Sequence, residues 1–156
     1  MSRKDRAQRR QIQPDQKFNS TQIQRFINRL MVSGKKSTAQ GIVYGALDII
    51  QEKTSLDPIE VFKKAIKNTS PLVKVKARRI GGSTYQVPME VSQFEGESIG
   101  TRWIIKIARD RSGKTMREKL ASELIDASNS QGLAVKKRDE THKMADANKA
   151  FAHYRF

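Results

Sequence analysis

Apolar residues recur at helical spacing along most of this chain, which predicts a mainly α-helical fold. The first helix begins near Ser20 and ends at Gly34, with its apolar residues at i, i+3, i+4, i+7 and i+8: Ile23, Phe26, Ile27, Leu30 and Met31. A second helix carries another apolar face: Ile42, Val43, Ala46, Leu47, Ile49 and Ile50. A third begins at Asp57 and Pro58, an acidic cap followed by proline at the first helical position, and stops before Pro71.

Helical spacing returns in the second half of the chain. A fourth helix has one apolar stripe, which puts Trp103 in the core: Ile99, Trp103, Ile104, Ile107 and Ala108. Thr115 caps a fifth helix that closes near Gly132. The last helix, roughly Lys136 to Phe151, is mostly polar, so we expect it to dock on a partner. The pattern predicts a bundle of about six helices.

Residues 73–91 follow a period of two instead. The first strand alternates apolar and cationic residues, which predicts one face of each kind: Val73, Lys74, Val75, Lys76, Ala77 and Arg78. Gly81 and Gly82 tolerate positive φ and therefore suit a tight turn. Residues 83–91 supply the return strand, where Pro88 is restricted to an edge or a bulge. We predict a protruding β-hairpin arm that reaches into a polyanion.

Composition and charge narrow the class of protein. The 156 residues suit one domain, and 31 Lys and Arg against 16 Asp and Glu give a net charge of +15, which favours nucleic acid as the partner. An anionic membrane is the alternative, but no apolar run approaches the roughly 18 residues that span a bilayer. Residues 1–19 are basic and almost devoid of apolar groups, which predicts a disordered tail before a single RNA-binding domain at 20–156. The N-terminus resembles neither a secretory signal nor a transit peptide.

Patterns typical of catalytic, metal or cofactor sites are weak. Residues 112–115 read Ser-Gly-Lys-Thr, like the end of a phosphate-binding loop, but Ala108 stands where that motif needs glycine. His142 and His153 are the only histidines, and there is no cysteine, which argues against a metal site. The sequence therefore predicts no enzyme, no metal and no cofactor.

Cations are segregated from acids in three segments. Residues 3–10 contain five cations and one acid, residues 74–82 four cations and no acid, and residues 102–119 seven cations and two acids. Such segregation favours a binding surface over a solvated face. Aromatic residues are only 6% of the chain, so phosphate contacts outweigh base stacking, for which the candidates are Tyr85, Tyr154 and Phe156. A DNA-binding architectural protein is the alternative that the basic ribbon alone supports.

Four separated motifs resemble one family, the bacterial-type small-subunit ribosomal protein seven. They are GKKSTA at 34–39, VKVKARRIGGSTYQVPMEV at 73–91, RWI at 102–104 and AVKKRDETHKMADANKAFAHYRF at 134–156. The resemblance implies a helical fold with a hairpin arm. It also implies direct binding to small-subunit ribosomal RNA, nucleation of head assembly, and a place by the exit site near messenger RNA and tRNA.

The resemblance also implies roles for individual residues. The expected ribosomal-RNA-binding residues are Arg3, Arg9, Arg10, Lys35, Lys36, Lys76, Arg78, Arg79, Lys114, Lys119, Lys136 and Lys137. Those expected to face messenger RNA and exit-site tRNA are Gly81, Gly82, Tyr85, Arg138, His142 and Lys143. The implied neighbours are ribosomal proteins nine and eleven. The segment at 57–79 is most similar to cyanobacterial and plastid members, which favours the plastid stroma, with the bacterial cytoplasm as the alternative.

Overall fold

A computed structural model of the chain describes residues 10–113 and 115–154. In chain order its elements are α1 (Thr21–Leu30), α2 (Lys36–Thr54), α3 (Pro58–Thr69), β1 (Val73–Ile80), β2 (Ser83–Glu90), α4 (Gln93–Asp110), α5 (Met116–Ser128) and α6 (Gly132–Ala147), followed by a 3₁₀ helix over Lys149–Tyr154. The two strands pair as one antiparallel hairpin between α3 and α4. The predicted helical fold with a single hairpin arm is confirmed.

The predicted helix starts are confirmed by their caps. The side chains of Ser20, Asp57 and Thr115 each accept a hydrogen bond from a backbone N–H in the first turn, at 3.4, 3.0 and 3.3 Å. The end of α1 differs from the prediction, because the helix stops at Leu30 rather than at Gly34. Gly34 lies in the following turn with a φ of 74°, a conformation that continues no helix.

The core is shared by all six α-helices. Phe26 of α1 and Phe62 of α3 pack edge to face with ring centroids 5.3 Å apart. Around this pair lie other fully buried aliphatic side chains: Ile23, Ile27, Leu47, Ile50, Ile66, Ile104, Leu120 and Leu124. The apolar stripes predicted in α1 and α2 therefore meet in one place with buried side chains of α3, α4 and α5.

The prediction that Trp103 is part of the core is wrong. Trp103 is half-buried, while the buried residues of α4 include Gly96, Gly100, Ile104 and Ala108, spaced four apart. A Cβ at Gly96 would lie 2.8 Å from the carbonyl oxygen of Pro71, so the backbone of α4 comes too close to the end of α3 for any side chain. The glycines draw this face of α4 inward and turn Trp103 away from the centre.

The predicted disordered tail, residues 1–19, lies partly outside the described residues. Its last part is docked on α2. Asp15 is 1% exposed, and its carboxylate accepts hydrogen bonds from the Tyr44 hydroxyl at 2.5 Å and from the backbone N–H groups of Lys17 and Phe18 at 3.1 and 3.0 Å. Lys17 also pairs with Asp48 at 2.9 Å. These contacts attach residues 15–18 to α2, ahead of the predicted boundary at residue 20.

Burial and the hydrogen bond to Asp15 raise the pKa of Tyr44 to about 12. The hydroxyl is thus protonated, as a donor to the carboxylate must be.

Asn68, at the end of α3, joins three helices through one side chain and one carbonyl. Its amide donates to the backbone oxygens of Ala127 and Ser128 at 2.9 and 3.0 Å, which lie at the end of α5. Its own backbone oxygen accepts a hydrogen bond from Arg138 of α6.

Helix α6 begins earlier than predicted, at Gly132 instead of Lys136, and packs on α4, α5 and both strands. Its Ala134, Val135 and Ala145 are buried against its own chain, whereas Leu133 and Met144 are exposed.

Glu123 is a fully buried carboxylate between α4, α5 and α6. One oxygen accepts the Ala134 backbone N–H at 3.1 Å, and the other lies 3.2 Å from the Arg111 guanidinium, which also pairs with Asp126 at 2.5 Å. Burial raises the pKa of Glu123, although the Ala134 N–H and the Arg111 charge act in the opposite direction. Burial therefore disfavours the charged form of Glu123.

We expect Phe62→Ala to lower the free energy of unfolding by about 3–5 kcal/mol, because it empties a fully buried aromatic site. Trp103→Ala is the matched comparison and should cost clearly less, since its ring is half-buried and outside the core. Urea unfolding of both variants measures the difference. An equal or larger loss of unfolding free energy for Trp103→Ala would show that Trp103 belongs to the core.

We expect Glu123 to favour folding most at low pH. Because its pKa is raised in the folded protein, its contribution is fully present below the ordinary value of 4.5 and is lost as the pH rises through the folded value. Glu123→Gln stays neutral and keeps an acceptor for the Ala134 N–H. The unfolding free energy of the wild type relative to this variant should therefore fall as the pH rises above 4.5. Urea titrations at several pH values test this, and a difference that rises with pH would contradict it.

Candidate nucleic-acid interface

The tip of the arm is a tight turn with exposed cations beside it. Gly81 and Gly82 have φ values of 56° and 90°, as the sequence predicts for this glycine pair. Arg79 is exposed and lies opposite Thr84, and Arg78 is half-buried opposite Tyr85. The register therefore brings the Arg78–Arg79 pair to the last turn of the ribbon.

The second strand adds apolar and aromatic residues to the predicted cationic face of β1. Residues directly opposite in an antiparallel pair share a face, and Lys76 lies opposite Val87, which is fully buried. Arg78 likewise shares its face with Tyr85. The alternation in β1 describes that strand alone and does not report which residues β2 adds to the same face.

The C-terminal part of the chain braces the arm. The Tyr85 ring lies 5.0 Å from the ring of Phe151 and 6.1 Å from that of Tyr154, both in the 3₁₀ helix. At the root of the arm, the backbone N–H of Leu72 donates to Nε2 of His142 at 3.1 Å. Tyr85 and His142, expected to face messenger RNA and tRNA, thus also make contacts within the chain.

A cluster of arginines lies where α1 meets α4, and we call Arg25, Arg29 and Arg102 the guanidinium cluster. Burial first, and then the charges of Arg102 and Arg25, lower the pKa of Arg29. The group stays protonated because an arginine pKa starts so high. Arg25 lies over the Phe94 ring at 5.0 Å, and its buried Nε has no hydrogen-bond partner in the described part of the chain. Like charges are therefore held together at this surface.

Other cations are already matched by acids. These pairs are Lys17–Asp48, Lys74–Glu95, Arg111 with Glu123 and Asp126, Lys137–Glu140 and Arg138–Asp139. Within residues 10–113 and 115–154, the guanidinium cluster and the arm-tip cations Lys76, Arg78 and Arg79 form no such pair. Among the described residues, the guanidinium cluster and the arm-tip cations are thus left unmatched by an acid within ion-pair distance and available to a ligand.

The remaining predicted RNA-binding residues fall into several environments. Lys35 and Lys36 are exposed at the start of α2, and Arg109 reaches the same end of α1 by donating to the Leu30 carbonyl at 3.2 Å. Exposed residues at other positions are Arg10, Lys136, Lys137 and Lys143. Lys119 is half-buried against the loop at Gly113. The residues that lie outside the described part of the chain are Arg3, Arg9, Lys114 and the stacking candidate Phe156.

Arg25 and Arg29 are absent from the set of residues predicted to bind RNA. Their spacing of four places them on one side of α1, and Arg102 belongs to a cationic series on α4 with Lys106 and Arg109. The two series were visible separately in the sequence, but their meeting depends on how α1 and α4 pack. Sequence spacing alone carries no signal for that contact.

The described residues contain no group of three or more His, Asp or Glu side chains that could hold a metal ion. In the same part of the chain, no helix has both the length and the apolar character needed to cross a membrane.

We expect Phe151→Ala to loosen the arm without unfolding the helices. It removes a ring contact of Tyr85, and an aromatic pair contributes roughly 0.5–1.5 kcal/mol, so amide exchange in β1 and β2 should accelerate about two- to tenfold. Met144→Ala, at an exposed position of α6, is the matched control. Hydrogen exchange followed by mass spectrometry gives the readout. Unchanged exchange in the strands would exclude a bracing role for Phe151.

The comparisons with known proteins agree with the geometry. The family model described as Ribosomal protein S7p/S5e matches residues 2–149. Three relatives, each named Small ribosomal subunit protein uS7, align over 100% of this chain and 100% of their own length. They come from Acaryochloris marina at 58% identity, a Thermoanaerobacter species at 56% and a Synechocystis species at 56%. The chain therefore belongs to the Ribosomal protein S7p/S5e family.

Proposed function

We propose that this chain is a structural, non-catalytic component of the small ribosomal subunit, which acts in translation by binding the RNA of that subunit directly. Its full-length relatives are named for the small ribosomal subunit. The observation that carries the RNA-binding part is the guanidinium cluster, in which burial first, and then the charges of Arg102 and Arg25, lower the pKa of Arg29. A polyanion relieves that repulsion, and RNA supplies a phosphate at every nucleotide.

In this proposal, RNA binding depends on the positions of the guanidinium groups as well as on their charge. Arg25 and Arg29 lie on α1, whose start is capped by Ser20, and Arg102 lies in the middle of α4. Because both helices are packed into the core, the backbone positions that carry these guanidinium groups are fixed before RNA arrives. Guanidinium groups bind phosphate oxygens in a planar, two-pronged geometry, so a fixed set selects a fixed arrangement of phosphates.

The arm extends this interface. Lys76, Arg78 and Arg79 form no ion pair with any described residue, and the glycine turn beside them lets a nucleic-acid backbone approach closely. The other RNA-binding residues of this proposal are Arg3, Arg9, Arg10, Lys35, Lys36, Lys114, Lys119, Lys136 and Lys137. Lys136 and Lys137 lie in the second turn of α6, the helix that contacts the root of the arm through His142.

The finer parts of the proposal rest on the family resemblance. We infer that the chain nucleates assembly of the subunit head and lies near the exit site. There the arm tip and α6 face messenger RNA and tRNA, through Gly81, Gly82, Tyr85, Arg138, His142 and Lys143. Ribosomal proteins nine and eleven are the neighbours. Of these side chains, Lys143 is exposed, whereas Arg138 is engaged with Asn68 and Asp139.

We propose the plastid stroma as the location and the bacterial cytoplasm as the alternative.

We expect the purified protein to bind small-subunit ribosomal RNA with a steep salt dependence, because six to ten phosphate contacts cost about three to five decades of affinity between 50 and 200 mM salt. Arg29→Ala with Arg102→Ala should lower the affinity and reduce the slope of log K against log salt by about two. The matched control is Lys53→Ala with Lys64→Ala, which removes the same charge from exposed positions on α2 and α3.

Filter binding at four salt concentrations measures the slopes, and thermal melts establish that both double variants are folded. Equal losses of affinity in the two double variants would mean that net charge, rather than the guanidinium cluster, accounts for binding.

A further inference from the structure

A polar pocket of about 260 Å³ lies between the docked N-terminal segment and helices α1 and α2. Most of its lining side chains are carboxamides: Gln13, Gln16, Gln24, Asn28 and Gln40. Its lining includes none of the guanidinium cluster and none of the arm-tip cations. Lys36 is the residue that it shares with the predicted RNA-binding set.

The pocket is built before any ligand arrives. Its outer wall, residues 12–16, is held on α2 by the buried Asp15 and its hydrogen bond to Tyr44 at 2.5 Å. Its inner wall contains Gln24, which is 6% exposed and donates through Nε2 to Oδ1 of Asn28 at 2.9 Å. Ordered amides of this kind present donors and acceptors in fixed directions, so the pocket has a defined hydrogen-bonding pattern.

The chemistry of the lining selects a class of ligand. A carboxamide offers both donors and an acceptor in one plane, which matches a neutral planar group with donors and acceptors along its edge. Among the described lining residues there is no acid to hold a cation, and a single lysine, Lys36, is available for an anion. Ile12 and Pro14 add apolar surface against which a flat ring can lie. A nucleobase has all of these properties.

We infer that this pocket receives one unstacked base of the bound RNA, and that it prefers adenine. Glutamine and asparagine carboxamides pair with the N6 and N7 edge of adenine through two hydrogen bonds. Lys36 is exposed at the start of α2, on the edge of the pocket, where it meets the phosphate of the same nucleotide. The inference rests on the proposed RNA binding and adds base recognition to a surface otherwise described by charge.

The test uses the full chain and three single-stranded RNA oligomers of equal length, oligo(A), oligo(C) and oligo(U), at one salt concentration. We expect oligo(A) to bind about five- to 100-fold more tightly than the other two. Gln13→Ala with Gln16→Ala, both exposed positions in the outer wall, should abolish that ratio and leave the salt slope unchanged. Lys36→Ala should do the reverse, lowering the slope by about one while keeping the ratio.

Gln51→Ala is the matched control, since it removes an exposed carboxamide from α2 outside the pocket and should leave both ratio and slope unchanged. Binding that is equal for the three oligomers, or a preference that survives in the Gln13 and Gln16 double variant, overturns the pocket while RNA binding stands. Absence of salt-dependent binding to any RNA overturns the proposed function itself.

Discussion

The close approach of α4 to the end of α3 is the contact on which the arrangement of this protein depends. A Cβ at Gly96 would lie 2.8 Å from the Pro71 carbonyl oxygen, and one at Gly100 would lie 3.0 Å from the backbone of Thr69. Pro71 and Leu72 lead into β1, and the Val91 N–H donates to the Leu72 carbonyl at 2.9 Å as β2 leaves. The two glycines therefore close the base of the arm. They also fix the rotation of α4, which determines where Arg102 stands relative to α1.

Acidic residues are few, and their distribution explains where the surface carries unmatched positive charge. The acids that form ion pairs hold cations at junctions within the fold, as Asp48 does for the N-terminal segment and Asp126 for the loop after α4. Glu123 pairs with Arg111 although it is fully buried, and its raised pKa reflects the cost of burying a charge. Cations on the α1–α4 surface and at the arm tip have no such partner among the described residues. A chain of net charge +15 thus keeps its fold neutralised locally and directs the remaining charge outward.

Local signals in the sequence were sufficient for much of the fold. The caps at Asp57 and Thr115 and the glycine pair of the hairpin act within a few residues, so sequence alone predicts them. Features that depend on the packing of two distant segments could not be predicted from the sequence. Trp103 turns away from the core because glycine, which has no place in an apolar pattern, forms the contact face of α4.

The same limit applies to the candidate site. The cationic character of the arm tip and of the start of α2 follows from the sequence directly. The meeting of Arg29 with Arg102, and of Tyr85 with Phe151, depends on tertiary packing that joins segments far apart in the chain. The carboxamide pocket likewise needs Asp15 to dock the segment before α1. Asp15 itself belongs to a stretch whose polar composition predicts disorder.

The aromatic contacts between Tyr85 and the C-terminal 3₁₀ helix have a thermodynamic consequence for recognition. A free two-stranded ribbon is marginally stable in water, and ordering it upon binding would consume roughly 1–2 kcal/mol per residue of backbone entropy. An arm that is already ordered by Phe151 and Tyr154 has met that cost during folding. Less of the free energy gained from its contacts with a ligand is then offset by the entropy cost of ordering the arm. Phe151 and Tyr154 therefore affect binding strength through the arm, by reducing the disorder that binding must remove.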